Sequence, residues 1–359
     1  MEKILVGLSG GVDSAISTYL LQQKGYQVVG LFLRLIDDDD FSRAEILAKQ
    51  LGIKLITRDV RTIFRQQIEK KFIEAYRRGL TPNPCVVCNP TIKFKYLLES
   101  ADKLNINLIA TGHYAQVKTV PQTDCENLSQ SKREHINKKN ILYRATDQTK
   151  DQSYFLYGLS QNVLQRLQLP LGNITKTEVK SLAQELQLQV SRSESQDVCF
   201  LKNTNLKQYL QTKLSAETLS PGDIVDLNNQ KIGEHQGLAL YTIGQRQGLN
   251  IGGKGPYYVV AKNNEKNLLI VSNNCDDLQR KKIPFTASNW LYEAPKKNKR
   301  YQIQVRYRTK PISAHIVEKD KGNWLAEAEE EIFSIAPGQS LVVYDGDIVV
   351  GGGVIQGNI

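Results

Sequence analysis

Residues 7–14 read Gly-Leu-Ser-Gly-Gly-Val-Asp-Ser, and this string constrains the fold more than any other part of the chain. It follows the apolar run Ile4-Leu5-Val6, the pattern of a buried parallel strand. It precedes a stretch in which Ile16, Tyr19 and Leu20 fall at helical spacing and Gly25 gives a stop, so a helix is expected from Asp13 or Ser14. Glycines without Cβ let successive backbone N–H groups close on a phosphate, and the helix N-terminus adds partial positive charge. The Ser9 and Ser14 hydroxyls can donate to phosphate oxygens, and Asp13 could hold Mg²⁺. A bare glycine turn would need only Gly10 and Gly11, whereas the whole string between a strand and a helix favours a phosphate loop. The Gly-Lys-Ser/Thr ending of a γ-phosphate-transferring loop is absent.

The first half of the chain continues the alternation. Val28 to Leu33, residues 53–57 and Leu108 to Ala110 read as strands; residues 41–51, 61–78 and 91–104 read as helices. Residues 79–90, with Gly79, Pro82, Pro84 and Pro90, read as a loop. The pattern is that of a doubly wound α/β domain with a parallel sheet, in which ligands gather at the carboxyl ends of the strands. Residues 119–140 are polar and aperiodic, a surface insertion that carries Cys125. Thr175 and Glu178 stand at capping-box spacing before a helix near 175–187. Beyond about residue 203 short alternating runs between Pro-Gly, Asn-Asn and Gly-Gly pairs take over. We expect three domains: 1–202, catalytic α/β; 203–271, small and mixed; 272–359, all-β and barrel-like.

The formal net charge is +10, with basic clusters at Lys132-Arg133, Lys138-Lys139, Arg280-Lys281-Lys282 and Lys296 to Arg300. Such clusters suit a polyanion, because each neutralised phosphate releases counterions, although solvated surface explains them equally well. Nothing approaches the roughly 20 apolar residues of a membrane span, and no secretion signal follows Met1, so a cytoplasmic protein is expected. Five cysteines, an odd number, argue for free thiols rather than a disulfide framework. Cys85 and Cys88 form a CxxC on the proline-rich segment. Three readings stay open for them. A structural zinc site would need four ligands and no second CxxC exists, a redox dithiol is compatible with CxxC, and buried structural cysteines fit a polar loop poorly. Cys199, in Ser193-Glu194-Ser195-Gln196-Asp197-Val198-Cys199-Phe200, is another thiol in a polar setting.

The string at 7–14 resembles the loop of enzymes that cleave ATP to AMP and pyrophosphate, a group of synthetases and tRNA-modifying enzymes. TPNPCVVCN followed by IKF, ATGHYA (110–115), KDQSYFL (150–156), SESQDVCF, GLALYTIGQRQGLNIGG (237–253), VRYR (305–308) and APGQSLVVYDGDIVVGGGVI (336–355) follow in order. Together these strings make the chain closely similar to the tRNA-specific 2-thiouridylases of the MnmA family, over nearly its whole length.

The resemblance implies an ATP-pyrophosphatase domain of the adenine nucleotide alpha hydrolase-like type. The implied reaction is ATP-dependent thiolation of the wobble uridine, U34, in tRNAs for Lys, Glu and Gln. It matches Cys199 to the persulfide carrier, loaded by a cysteine desulfurase or relay protein, and Cys88 to the nucleophile that forms a transient disulfide with it. ATP contacts carry over to Gly7, Leu8, Ser9, Gly10, Gly11, Val12, Asp13 and Ser14, to Leu33 and to Gly112, where a glycine would let the backbone approach the nucleotide. Asn83, Pro84 and Cys85 match the stretch meeting the target base. His113, Lys150, Asp151, Gln152, Arg306, Tyr307 and Gln339 match tRNA-contacting positions. Apart from the resemblance, Lys150-Asp151 would be an exposed pair, His113 a satisfied strand-end histidine, and Arg306 and Tyr307 plain strand surface.

One departure matters. Many members carry Asp, a candidate general base, where this chain has Cys85, and a neutral thiol cannot take that proton. Two competing classes are an amide-forming or lysidine-type adenylating enzyme, which would not need Cys199, and a non-catalytic RNA-binding protein with a decayed loop.

Overall fold

The computed structural model describes residues 1–37, 39–120, 139–190, 198–201, 204–252 and 255–357. Cys125, the Lys132-Arg133 pair and Ser193 to Asp197 lie outside the described residues.

The amino-terminal half builds strands β1 (Lys3–Gly7), β2 (Gln27–Arg34), β3 (Lys54–Asp59) and β4 (Leu108–Ala110), a hairpin of β5 (Gln116–Val120) and β6 (Lys139–Tyr143), and β7 (Leu167–Gln168). Five of these make a parallel sheet in the order β3-β2-β1-β4-β7. The chain leaves β1 toward β2 on one side and returns to β4 on the other. The crevice outside the carboxyl ends of β1 and β4 is therefore the topological switch point, where open α/β sheets bind ligands. Ile4, Leu5 and Val6 are buried on both faces of the sheet, as the uninterrupted apolar run requires.

A four-stranded sheet follows, built from β8 (Gly222–Val225), β9 (Lys231–His235), β10 (Tyr258–Asn263) and β11 (Leu268–Ser272). Its strand order is β10-β11-β8-β9, and it has its own core of Ile224, Val259, Leu269 and Val271. The last strands are β12 (Gln279–Trp290), β13 (Arg300–Gln304), β14 (Ile312–Asp320), β15 (Asn323–Phe333), β16 (Ser340–Asp345) and β17 (Ile348–Ile355). Pairing of β12 with β17 closes them into a six-stranded antiparallel barrel. The β5–β6 hairpin joins the barrel through Tyr143 opposite Ile348, so the first half of the chain lends strands to the last. One apolar core, containing Leu5, Leu31, Phe94, Tyr154, Tyr157, Val342 and Tyr344, runs from the parallel sheet to the barrel.

The structure corrects the expected loop at 79–90. A helix begins at Pro84 and runs to Lys103, as Pro84–Cys88, a π turn at Asn89–Lys93 and Phe94–Lys103. Pro84 occupies the first helical position, where its missing N–H costs nothing. Pro90 would break a regular α-helix; the wider π turn absorbs it. The CxxC therefore lies on a helix. Residues 305–308, expected on a strand, instead form the bend and turn that follow β13. Residues 61–77 are helical as expected, with a second π turn at Arg65–Glu69.

Candidate active site

The loop after β1 is folded as a phosphate cradle needs. Gly10 takes φ +87°, which a side chain would strain. The helix Val12–Gln23 starts after Gly11 with no side-chain cap, leaving its first-turn N–H groups without a side-chain acceptor. Leu8 is buried and ties β1 to β2 through its N–H to the Leu31 carbonyl at 2.8 Å. Ser9 is exposed at the mouth. Ser14 is only 5% exposed; its hydroxyl donates to the Gly11 carbonyl at 2.9 Å and accepts from the Ser9 N–H at 3.3 Å. Its hydroxyl is thus committed to bracing the loop.

Asp13 is held from two sides. Its Oδ1 accepts from Lys176 Nζ at 2.6 Å and from the Tyr114 hydroxyl at 2.8 Å. The Lys176 side chain is 11% exposed and opens the helix Lys176–Glu185, whose Thr175–Glu178 capping box is fully formed. Asp13 can offer its second oxygen to Mg²⁺, which binds through one or two carboxylates together with substrate phosphates. That donor set fits a Mg²⁺ arriving with ATP. Among the described residues, no group of three or more His, Cys, Asp or Glu side chains is arranged to hold a metal.

Gly112, after β4, approaches this loop directly. A Cβ there would stand 2.8 Å from the Asp13 carbonyl carbon and 2.9 Å from the Ser14 nitrogen. The glycine is accounted for by the Asp13–Ser14 peptide, without a nucleotide. Leu33, half-buried near the end of β2, packs against both the central core and the cysteine cluster.

Cys88 is 4% exposed and shares an apolar cluster with Val60, Phe64, Ile68 and Ile92, against which Cys199 and Phe200 also pack. Phe200 fixes the Cys199–Leu201 turn by edge-on ring contacts with Phe64 at 6.0 Å and Phe72 at 5.1 Å. Cys85 is half-buried one turn before Cys88, and Cys88 and Cys199 are free thiols. The expectation that a polar loop disfavours buried cysteine fails for Cys88, because that segment is a helix with its Cys88 face turned inward. Burial pushes the Cys88 thiol up to about 12 and the Cys199 thiol up to about 11, and the Lys93 ammonium opposes this at both.

Sequence reasoning quoted Lys93 within IKF without singling it out. The groups acting on its charge are the thiols of Cys88, Cys85 and Cys199. Burial pulls its pKa down, but the sulfurs outweigh that and leave it raised. His113 stands beside it, with Nδ1 2.8 Å from Thr111 Oγ1 and its ring stacked on Phe94. Burial first, and the Lys93 charge second, push His113 down to about 3.

The remaining expected residues fall into two groups. Asn83 precedes the cysteine helix and reaches the Tyr154 hydroxyl, with Arg306 also near that ring. Tyr307 packs on Phe155 at 4.4 Å and on Tyr154 at 5.9 Å. Gln339 donates from Nε2 to the Thr81 carbonyl at 2.8 Å, and Pro84 is buried beside them. Barrel residues thus meet the lead-in to Cys85 and Cys88.

Lys150, Asp151 and Gln152 lie instead against the Tyr114 turn. The Gln152 N–H donates to the Tyr114 carbonyl at 2.7 Å, and its Oε1 accepts from the Tyr114 N–H at 3.0 Å. Asp151 is 8% exposed and accepts from the Ala145 and Ser153 N–H groups and the Ser153 hydroxyl, so the exposed pair becomes a half-buried lysine beside a buried carboxylate.

Three family models match in succession: a tRNA methyl transferase HUP domain over residues 2–203, a tRNA methyl transferase PRC-barrel domain over 207–273, and an aminomethyltransferase beta-barrel domain over 280–355. Full-length relatives carry a different name, tRNA-specific 2-thiouridylase MnmA. That of Chloroflexus aggregans is 40% identical over 99% of this chain and 98% of its own length. That of Serratia proteamaculans is 35% identical over 99% and 97%, and that of Microcystis aeruginosa 36% over 99% and 99%. With such identity from end to end, the chain belongs to the MnmA family of tRNA-specific 2-thiouridylases.

Proposed function

We propose that this chain is a tRNA-uridine 2-sulfurtransferase acting on U34 of tRNAs for Lys, Glu and Gln. ATP, with Mg²⁺, binds at residues 7–14, Leu33 and Gly112. Uridine O2 attacks the α-phosphate, releasing pyrophosphate and leaving C2 activated by an AMP leaving group. A cysteine desulfurase or relay protein loads Cys199 as a persulfide. The Cys88 thiolate then attacks the Cys199 sulfur of that persulfide. A Cys88–Cys199 bond forms, the sulfur–sulfur bond of the persulfide breaks, and HS⁻ departs to displace AMP at C2. A thiol reductant supplies the two electrons that reopen the disulfide.

The observation that carries this reading is the meeting of Cys88 and Cys199 in one buried cluster, beside the switch-point crevice that bears the phosphate loop. An amide-forming enzyme on the same loop has no use for that pair. Asn83, Pro84, Cys85 and His113, with Arg306, Tyr307 and Gln339 from the barrel side, would receive the uridine and its neighbours. Lys150, Asp151 and Gln152 would steady the adjoining surface. The target base must leave its stack to reach so recessed a thiol. The same reading puts the enzyme in the cytoplasm with its tRNA; among the described residues no helix is long and apolar enough to cross a membrane.

Incubation with ATP, a sulfide source and unmodified tRNA should yield 2-thiouridine and AMP in equal amounts. With a persulfide donor in place of sulfide, Cys88→Ser and Cys199→Ser should abolish 2-thiouridine while Cys85→Ser keeps most of it. AMP without thiolation, or equal loss in all three variants, would overturn the assignment.

A further inference from the structure

The cysteine centre lies in surroundings that oppose its chemistry. Transfer from a persulfide needs negative charge on sulfur, yet Cys88 is almost wholly buried and Cys199 packs against the same apolar cluster. The Asp usual beside the family nucleophile is Cys85 here, so no carboxylate at that position can draw off a proton. Another group must favour the charged form.

The fold supplies one through the π turn. In a regular α-helix the residue five positions after Cys88 points about 140° away from it. A π turn pairs residue i with i+5, as the Phe94 N–H bond to the Asn89 carbonyl shows, and so carries Lys93 round toward Cys88. The Lys93 backbone N–H, like its ammonium, favours the charged form of the Cys88 sulfur. Lys93 forms no ion pair with a carboxylate of the described residues, and the groups that favour its charged form are the three cysteines. The titratable groups that face this centre are Cys85 and Cys88 on the same helix, Cys199 from the turn at Cys199–Leu201, Tyr209 from the helix Leu206–Lys213, His113 from the loop after β4, and Asp39 from the loop after β2. Of these only Lys93 brings positive charge, since His113 is neutral.

We propose that Lys93 is the counter-ion of the cysteine centre, its ammonium group holding negative charge on the sulfurs of Cys88 and Cys199. It takes the electrostatic part that an adjacent base would otherwise play, by stabilising the anion rather than accepting the proton. This rests on the reading of Cys88 and Cys199 as the working thiols.

The test compares the full-length wild type with Lys93→Met, Lys93→Gln and Lys93→Arg. Each is alkylated at mildly alkaline pH with neutral iodoacetamide and, separately, with anionic iodoacetate, and every cysteine is quantified by mass spectrometry. Exposed Cys275 is the internal control. Loss of the Lys93 cation should slow iodoacetamide at Cys88 and Cys199 roughly tenfold or more in the Met and Gln variants, with the Arg variant close to wild type. The iodoacetate-to-iodoacetamide ratio should fall at the same two cysteines and stay constant at Cys275. A change that merely loosens packing alters both reagents alike, so an unmoved ratio in Lys93→Met or Lys93→Gln overturns the proposal. Lys93→Gln keeps a polar head, so the question is answered even where the methionine variant fails to fold. Wild-type protein that makes 2-thiouridine with an unmoved ratio keeps the functional reading and sinks this one. A Lys93-dependent ratio in protein that never thiolates does the reverse.

Discussion

At His113 packing decides protonation. The ring is stacked on Phe94 and faces the Lys93 charge, so its folded pKa lies near 3 against an ordinary 6.5. The unfolded chain therefore binds a proton that the native state refuses. The stabilisation by this group is complete above pH 6.5 and is lost as pH falls toward 3. We expect the urea midpoint of the wild type to drop between pH about 7.5 and about 5, with His113 contributing on the order of 2 kcal/mol. His113→Asn should flatten that slope; an unchanged slope would show that His113 is not buried neutral. A neutral histidine can exchange a hydrogen bond with RNA but offers no charge to a phosphate. The histidine and its motif were legible in the sequence, but its charge state depends on Phe94 and Lys93, which reach it only in the fold.

At the scale of elements, proline content suggested a loop where the chain forms its most consequential helix. Local rules treat Pro82, Pro84 and Pro90 as breakers, yet Pro84 sits at a permitted first position and Pro90 at a π turn that period-3.6 reasoning does not contain. The capping box at Thr175 was legible because both its partners lie within one turn. What that cap positions was not. It fixes the start of the helix Lys176–Glu185, and Lys176 holds Asp13 across 163 residues of chain. Thr175→Ala should cost about 1 kcal/mol, read as a lower Tm. By loosening Lys176 it should also raise the ATP concentration needed for half-maximal pyrophosphate release. A stability loss with unaltered ATP dependence would show that Lys176 does not need the cap.

Across the whole molecule, the barrel packs against the segment that leads into the cysteine helix. The turn before β16 packs against the lead-in to the cysteine helix, through the Thr81 N–H to the Pro337 carbonyl at 2.8 Å and Gln339 to Thr81. Gly338 makes this approach possible: it takes φ +91°, and a Cβ there would lie 3.0 Å from the Thr81 nitrogen. Gly338→Ala should cost about 1–3 kcal/mol from the strained backbone alone. It should lower 2-thiouridine formation more than ATP binding measured without tRNA, since the contact is made with the lead-in to the cysteine helix and not with the phosphate loop. Equal loss of both would show that the turn supports the fold generally. The hairpin β5–β6 couples the same two halves by strand pairing, in addition to the shared apolar core.

The phosphate loop, the parallel-sheet alternation, the change to short strands after residue 203 and the family's cysteine motifs were all set out in the sequence. Strand period, glycine turns and helix caps are interactions within a few residues, so the residues that specify them are neighbours on the page. Tertiary structure decided that Cys88 is buried and Ser14 internal, that Gly112 makes room for the loop, that Tyr114 and Lys176 hold Asp13, and that Lys93 stands with the cysteines. Desolvation and counter-charge act through space between elements remote in sequence. No local pattern encodes which cation will stand beside a buried thiol.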